Sequence, residues 1–216
     1  MKYTPLPLFR GLSPEQLDAL SAAGLLRRKS FARHEIILHA GTQVREVGVV
    51  LRGTVHIENL DLWGTKSILS SISAGQAFAE TYAFCGDAMM VDAVAAEDCE
   101  VLFLHTSAIS DTRLDAGLRN TLLRNLLAVS MRKNLSLSQR IFCTTPKTVR
   151  GRLLTYFSAQ AAKAGGLEFE IPFNRQQMAD YLNLDRSALS KELGKMRDEG
   201  LLDFEKNHFT LKQLPE

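Results

Sequence analysis

Residues 174–197 read NRQQMADYLNLDRSALSKELGKMR, and the rest of the chain takes its meaning from this stretch. Asn174 is suited to cap a first helix, with Gln177 three residues on in the capping-box position. Met178, Ala179 and Leu182 make the inner face of that helix, and the small Ala179 lets a second helix cross closely. Asn183 falls where the turn needs positive φ, which asparagine tolerates better than most non-glycine residues. Asp185 caps a second helix whose buried stripe is Leu189, Leu193 and Met196. Its opposite face carries Arg186, Ser187, Ser190 and Lys191, so guanidinium, hydroxyl and ammonium groups share one side of the first two turns. The major groove of duplex DNA accepts such a face: arginine reads guanine, and hydroxyls reach bases or phosphates. Arg175, at the start of the first helix, is placed for a backbone phosphate, and GLLDFEKNHFTLK (200–212) supplies a β-wing. The alternative is a winged helix used for protein contacts, with its basic residues solvated.

Composition is that of an ordinary globular protein, 45% hydrophobic and 23% charged over 216 residues, a length that favours two domains. Lys and Arg number 26 against 24 Asp and Glu, a formal +2, so any positive charge used on nucleic acid must be local. No apolar run reaches the roughly 18 residues of a membrane span. The N-terminal MKYTPLPLFRGLSPEQ does not read as a secretory signal. The three cysteines, Cys85, Cys99 and Cys143, are odd in number and far apart, which fits a reducing cytoplasm and no disulfide framework.

The N-terminal part begins with a helix over 13–26, with Ser13 as cap and Pro14 in the first turn, carrying Leu17, Leu20, Leu25 and Leu26. From about Ser30 to Leu104 the short runs EIIL, VGVVL, TVHIE, SILSSI, DAVAA and CEVLFL are punctuated by glycines. That texture predicts a small antiparallel β-roll, with Asp61-Leu62-Trp63-Gly64 as a hairpin tip. From about Thr112 to Phe142 leucines recur at helical spacing, and some 30 helical residues span about 45 Å. One part of that helix can cover the roll while another pairs with a second copy; the alternative is packing on its own domain alone. Thr144-Thr145-Pro146 breaks the pattern and reads as a hinge. Beyond it follow a helix over about 146–162, a Gly165-Gly166 turn, the strand LEFEIPF, the two helices above and a hairpin around Lys206-Asn207. The fold class is therefore α+β: a sensing roll over 1–110, a long helix over 111–143, and a winged helix-turn-helix over 144–216.

This order, together with HAGTQVREVGVVLRGTVHI (39–57), ILSSISAGQAFAE (68–80) and DRSALSKEL (185–193), resembles the CRP/FNR superfamily of bacterial transcription regulators over nearly the whole chain. The resemblance implies a cyclic-nucleotide-binding-like jelly roll and a homodimer joined through the long helix. It also implies a palindromic double-stranded operator with half-sites about 34 Å apart, contact with RNA polymerase, and a small-molecule effector. Arg186 and Lys191 match base- or phosphate-contacting positions, and Arg175 a phosphate contact. Ser187 stands where several members carry glutamate, so the operators of those members do not transfer.

The sensing segment of the family corresponds to GQAFAETYAFCGDAMMVDA (75–93). In cyclic-nucleotide members the counterpart of Glu80 takes the ribose hydroxyl, and an Arg-Ser pair grips the cyclic phosphate. Here Met89-Met90 replaces that pair, and losing a charge-assisted clamp on a buried phosphate forfeits about 2 kcal/mol or more. Leu137 replaces a polar position on the long helix, although Ser138 remains. Cyclic AMP is not expected; polarizable methionines suit an apolar or aromatic ligand. The predicted pocket is Phe78, Glu80, Tyr82, Cys85, Met89, Met90, Leu137 and Ser138. The competing assignment has Met89 and Met90 filling the core and Glu80 merely capping a short helix.

No cofactor is firmly predicted. An iron–sulfur cluster of the FNR kind needs N-terminal cysteines, and none precedes Cys85. Haem ligation by His34, His39, His56 or His105 lacks a diagnostic spacing, and a redox switch at Cys85 or Cys143 stays open. A cupin-like enzyme needs paired histidines and a carboxylate, whereas His56 stands alone; no enzyme is expected.

Overall fold

The computed structural model describes residues 6–60 and 66–212, and the chain divides into two compact units, Met1–Arg132 and Lys133–Glu216. The expected hairpin tip at Asp61–Gly64 lies outside the described residues.

In the first unit helix α1 (Pro14–Ala22) precedes strands β1 (Leu26–Phe31), β2 (Ile36–Leu38), β3 (Glu46–Arg52), β4 (Thr54–Leu60), β5 (Lys66–Ser73) and β6 (Ala77–Phe78). Then come α2 (Glu80–Cys85), β7 (Asp92–Ala95) and β8 (Cys99–His105). The strands make two four-stranded antiparallel sheets, ordered β1-β8-β3-β6 and β2-β7-β4-β5. Between the sheets Phe103 meets Phe31 and Phe78 edge-on, at centroid distances of 6.2 and 6.5 Å. They share that core with Val50, Val55, Ala93, Ala95, Cys99 and Val101. The other face of β3 and β8, with Val47, Val49, Leu102 and Leu104, packs on Leu17 and Leu20 of α1 and on Leu118, Leu122 and Leu126. Burial on both faces explains why VGVV and VLFL read as continuous apolar runs instead of alternating. Gly48 is demanded by contact: a Cβ there would lie closer than 3.0 Å to three ring atoms of Phe78, its cross-strand partner.

Several boundaries differ from the sequence expectation for local reasons. Helix α1 stops at Ala22 because Gly24 turns at φ 70, and Leu26 opens β1 instead of closing a helix. The long helix, α3, runs Ala116–Thr144, its start fixed by Asp115, whose carboxylate accepts from the Leu118 amide at 2.8 Å.

The second unit holds the end of α3 with α4 (Val149–Ala164), β9 (Glu168–Glu170), α5 (Arg175–Leu182), α6 (Arg186–Asp198), β10 (Leu202–Glu205) and β11 (His208–Leu211). Helix α4 begins at Val149, later than expected, since Thr148 caps it by accepting from the Gly151 amide at 3.0 Å. The three strands form an antiparallel sheet ordered β10-β11-β9. Tyr156, Phe157, Phe169 and Phe209 build the core that seats α5 and α6.

Candidate nucleic-acid interface and effector pocket

Helix α5 starts with a reciprocal capping box: the Gln177 amide donates to Asn174 Oδ1, and the Asn174 amide to Gln177 Oε1, both at 2.9 Å. It ends on Asn183 in the left-handed conformation, φ 52 and ψ 54. Asp185 caps α6 by accepting from the Ala188 amide at 2.9 Å. Met178, Ala179 and Leu182 of α5 and Leu189, Leu193 and Met196 of α6 are fully enclosed. The polar positions of α6 are therefore turned outward, and Arg186, Ser187, Ser190 and Lys191 are all exposed. Among the described residues Arg186 and Lys191 make no ion pair.

Arg175 sits differently. Its guanidinium lies 4.8 Å from the Phe204 ring centre and 5.1 Å from that of Phe209, both on the wing. Burial lowers its pKa, and Nη1 is enclosed without a hydrogen-bond partner among the described residues. The resemblance leads one to expect a phosphate contact here; what the structure shows is a guanidinium packed on the wing at the start of α5.

Three arginines that fix the site were not singled out in the sequence. Arg140 donates to the Asp180 and Tyr181 carbonyls at 2.9 and 3.0 Å, and Arg152 to those of Leu182 and Asn183 at 3.1 and 2.7 Å. Together they satisfy the orphan carbonyls at the end of α5, where the turn to α6 begins. Arg150 on α4 holds α6 through Glu192 (2.6 Å), and Glu199 just past its end through two bonds of 2.8 Å. That pairing holds the Glu199 carboxyl below the usual range. No local spacing signals these contacts, because each joins residues about 30 to 50 positions apart.

In the roll, Phe78 and Glu80 are buried on either side of Ala79, which takes a left-handed φ of 63 before α2. Met89 is 3% exposed and is held by its backbone, the amide donating to the Thr42 carbonyl and the carbonyl accepting from Gly41. Met90 is 79% exposed, Cys85 is exposed and Tyr82 is half-buried. Leu137 and Ser138 are exposed on α3, the serine donating to Asn134 Oδ1 at 3.3 Å. Of the eight proposed positions Phe78, Glu80 and Met89 are thus buried, Tyr82 is half-buried, and Cys85, Met90, Leu137 and Ser138 are exposed. Burial raises the pKa of the Cys99 and Cys143 thiols. Among the described residues no group of three His, Cys, Asp or Glu side chains is arranged to hold a metal ion, and no helix is long and apolar enough to cross a membrane.

Residues 28–113 match the family described as Cyclic nucleotide-binding domain, and residues 151–216 the Crp-like helix-turn-helix domain. A cyclic nucleotide-binding domain followed in one chain by a Crp-like helix-turn-helix is the organisation of the CRP/FNR superfamily, and the chain belongs to it. The Cyclic AMP receptor protein of Thermus thermophilus is 30% identical over 98 residues, 45% of this chain and 44% of that protein, so the match spans less than half of its length. The solved structure of FixK2 from Bradyrhizobium japonicum is 21% identical with a TM-score of 0.52, covering 87% of this chain and 93% of its own. A cysteine-to-serine variant of CprK, solved in complex with OCPA, is 14% identical with a TM-score of 0.63, covering 91% and 90%. At these identities the two structures speak for the fold alone.

Proposed function

We propose that the protein is a ligand-responsive, sequence-specific DNA-binding transcription regulator, cytoplasmic and homodimeric, that contacts RNA polymerase and catalyses no reaction. The observation that carries this reading is the two-sidedness of α6. Leu189, Leu193 and Met196 anchor it, Arg150 clamps it, and the remaining face offers Arg186, Ser187, Ser190 and Lys191 to a partner. A polyanion with a readable groove matches that donor-rich face better than solvent does.

Dimerisation through α3 is supported by the apolar side chains it leaves uncovered. Leu123, Leu127, Met131, Leu135, Leu137, Ile141 and Phe142 are each between 48% and 67% exposed. An apolar surface on this scale, on one helix, is what a partner helix buries. The effector site is assigned to the roll around Glu80 and Met89, and the ligand is a small molecule other than cyclic AMP. No arginine or lysine occurs between Gly75 and Ala93 to hold a phosphate. The effector acts by binding the DNA-competent state more tightly than the other, through α3 and Thr144-Thr145-Pro146.

Selection of duplexes from a random library by the full-length protein tests this. The expected product is an inverted repeat whose half-site centres lie about one helical turn apart. Recovery of no sequence above the input would refute the reading.

A further inference from the structure

The recognition face of α6 carries two serines in different chemical states. The Ser190 hydroxyl makes no hydrogen bond among the described residues and is free to donate or accept. The Ser187 hydroxyl is engaged: it donates to Asp185 Oδ1, the same oxygen that accepts the Ala188 amide and caps the helix. An ionised carboxylate has no proton to give, so the proton between the two oxygens belongs to serine. Ser187 therefore reaches the solvent side with lone pairs only.

In the major groove that difference selects bases. Cytosine presents its N4 amino group and adenine its N6 amino group, whereas guanine offers O6 and N7 and thymine O4, all acceptors. An oxygen whose proton is committed attracts the first pair and is set against the second. We propose that Ser187, fixed as an acceptor by Asp185, is a specificity-determining residue that requires an amino-bearing base, cytosine or adenine, at one position of each half-site. A carboxylate side chain would be an acceptor by its own charge; here a neutral hydroxyl is made acceptor-only by the carboxylate two residues earlier. The neighbouring Arg186 and Lys191 remain donors and read the opposite chemistry beside it. The inference rests on α6 being the recognition helix.

The test repeats the duplex selection with the wild type, Ser187→Ala and Asp185→Asn, and reads base frequencies at every position. Asparagine keeps the helix cap about as well as aspartate, but accepts more weakly and adds donors of its own. The wild type is expected to prefer C or A over G or T about ten-fold at one position per half-site, as one well-placed hydrogen bond allows. Ser187→Ala should lower that ratio to about two-fold or less, with the other positions unchanged. Asp185→Asn should admit G and T at the same position. The inference is overturned if the position that responds to Ser187→Ala favours G or T, or if the substitution leaves every preference in place. An enriched inverted repeat with no C-or-A position overturns it alone. Failure of the wild type to enrich anything overturns it together with the recognition-helix assignment.

Discussion

Replacing Gly48 by alanine isolates how tightly the roll is built beneath its sensing segment. The added methyl would lie closer than 3.0 Å to three atoms of the Phe78 ring. Contacts between real side chains are longer, so something must move. The ring has little freedom, being buried and set edge-on to Phe103 at 6.5 Å, and Phe103 is backed by Phe31 at 6.2 Å. Overpacking a filled core costs about 1–3 kcal/mol, and a clash with a ring that cannot retreat belongs at about 3. Since domains are stable by about 5–15 kcal/mol, that is a large fraction of the total. Phe78→Leu alone removes part of the ring and should cost about 1–2 kcal/mol, less than truncation to alanine. In the double variant the methyl meets a smaller side chain, so the two losses should not add; a coupling of about 1 kcal/mol or more is expected. Urea unfolding of all four proteins gives the cycle directly. A Gly48→Ala protein within about 0.5 kcal/mol of wild type, or strictly additive losses, would refute the packing account.

Charging the uncovered face of α3 with Leu127→Glu and Leu135→Glu together should yield a monomer in sedimentation equilibrium under conditions where the wild type is expected to sediment as a dimer, with little change in helix content; a dimer of unaltered affinity would count against the interface. Arg150→Met should lower the melting temperature at neutral pH by releasing Glu192 and Glu199. Because the folded-state pKa of Glu199 is depressed, its share of that stability is fully present above the usual carboxylate range. It is lost as pH falls through the depressed value, so the difference between the proteins should narrow below about pH 4.5; a gap that widens in acid would contradict the ion pair. Tyr156→Phe removes a buried hydroxyl that has no hydrogen-bond partner among the described residues and should be neutral or stabilising by up to about 1 kcal/mol in chemical denaturation. A loss of that size would mean the hydroxyl is satisfied.

The helix-turn-helix was legible residue by residue because its signals are local. Caps at Asn174 and Asp185, the left-handed Asn183 and the two buried stripes all lie within 23 residues of one another and act over three or four positions. The roll is legible as a class from glycine punctuation, yet β1 leaves no strand signal: LRRKSF carries four exposed residues between its buried ends, so it lacks alternation. Helix starts at Ala116 and Val149 shifted inward because Asp115 and Thr148 compete better as caps than the residues upstream. Sequence spacing puts Met89 and Met90 in one pocket wall, but only Met89 is enclosed, held by its backbone bonds to Gly41 and Thr42, a distinction that spacing does not carry. The arginine clamps on α5 and α6 left no trace at all, since they join α3 and α4 to helices tens of residues later.

The central claim is that the exposed side of α6 enters duplex DNA, and Arg186 tests it most directly. Fluorescence-anisotropy titration of a selected duplex with wild type and Arg186→Ala, alongside circular dichroism to confirm folding, should show affinity reduced by about 1–3 kcal/mol, roughly 5- to 150-fold, with specificity relaxed at one base pair. Equal affinity and an unchanged sequence preference in a folded Arg186→Ala protein would contradict the account.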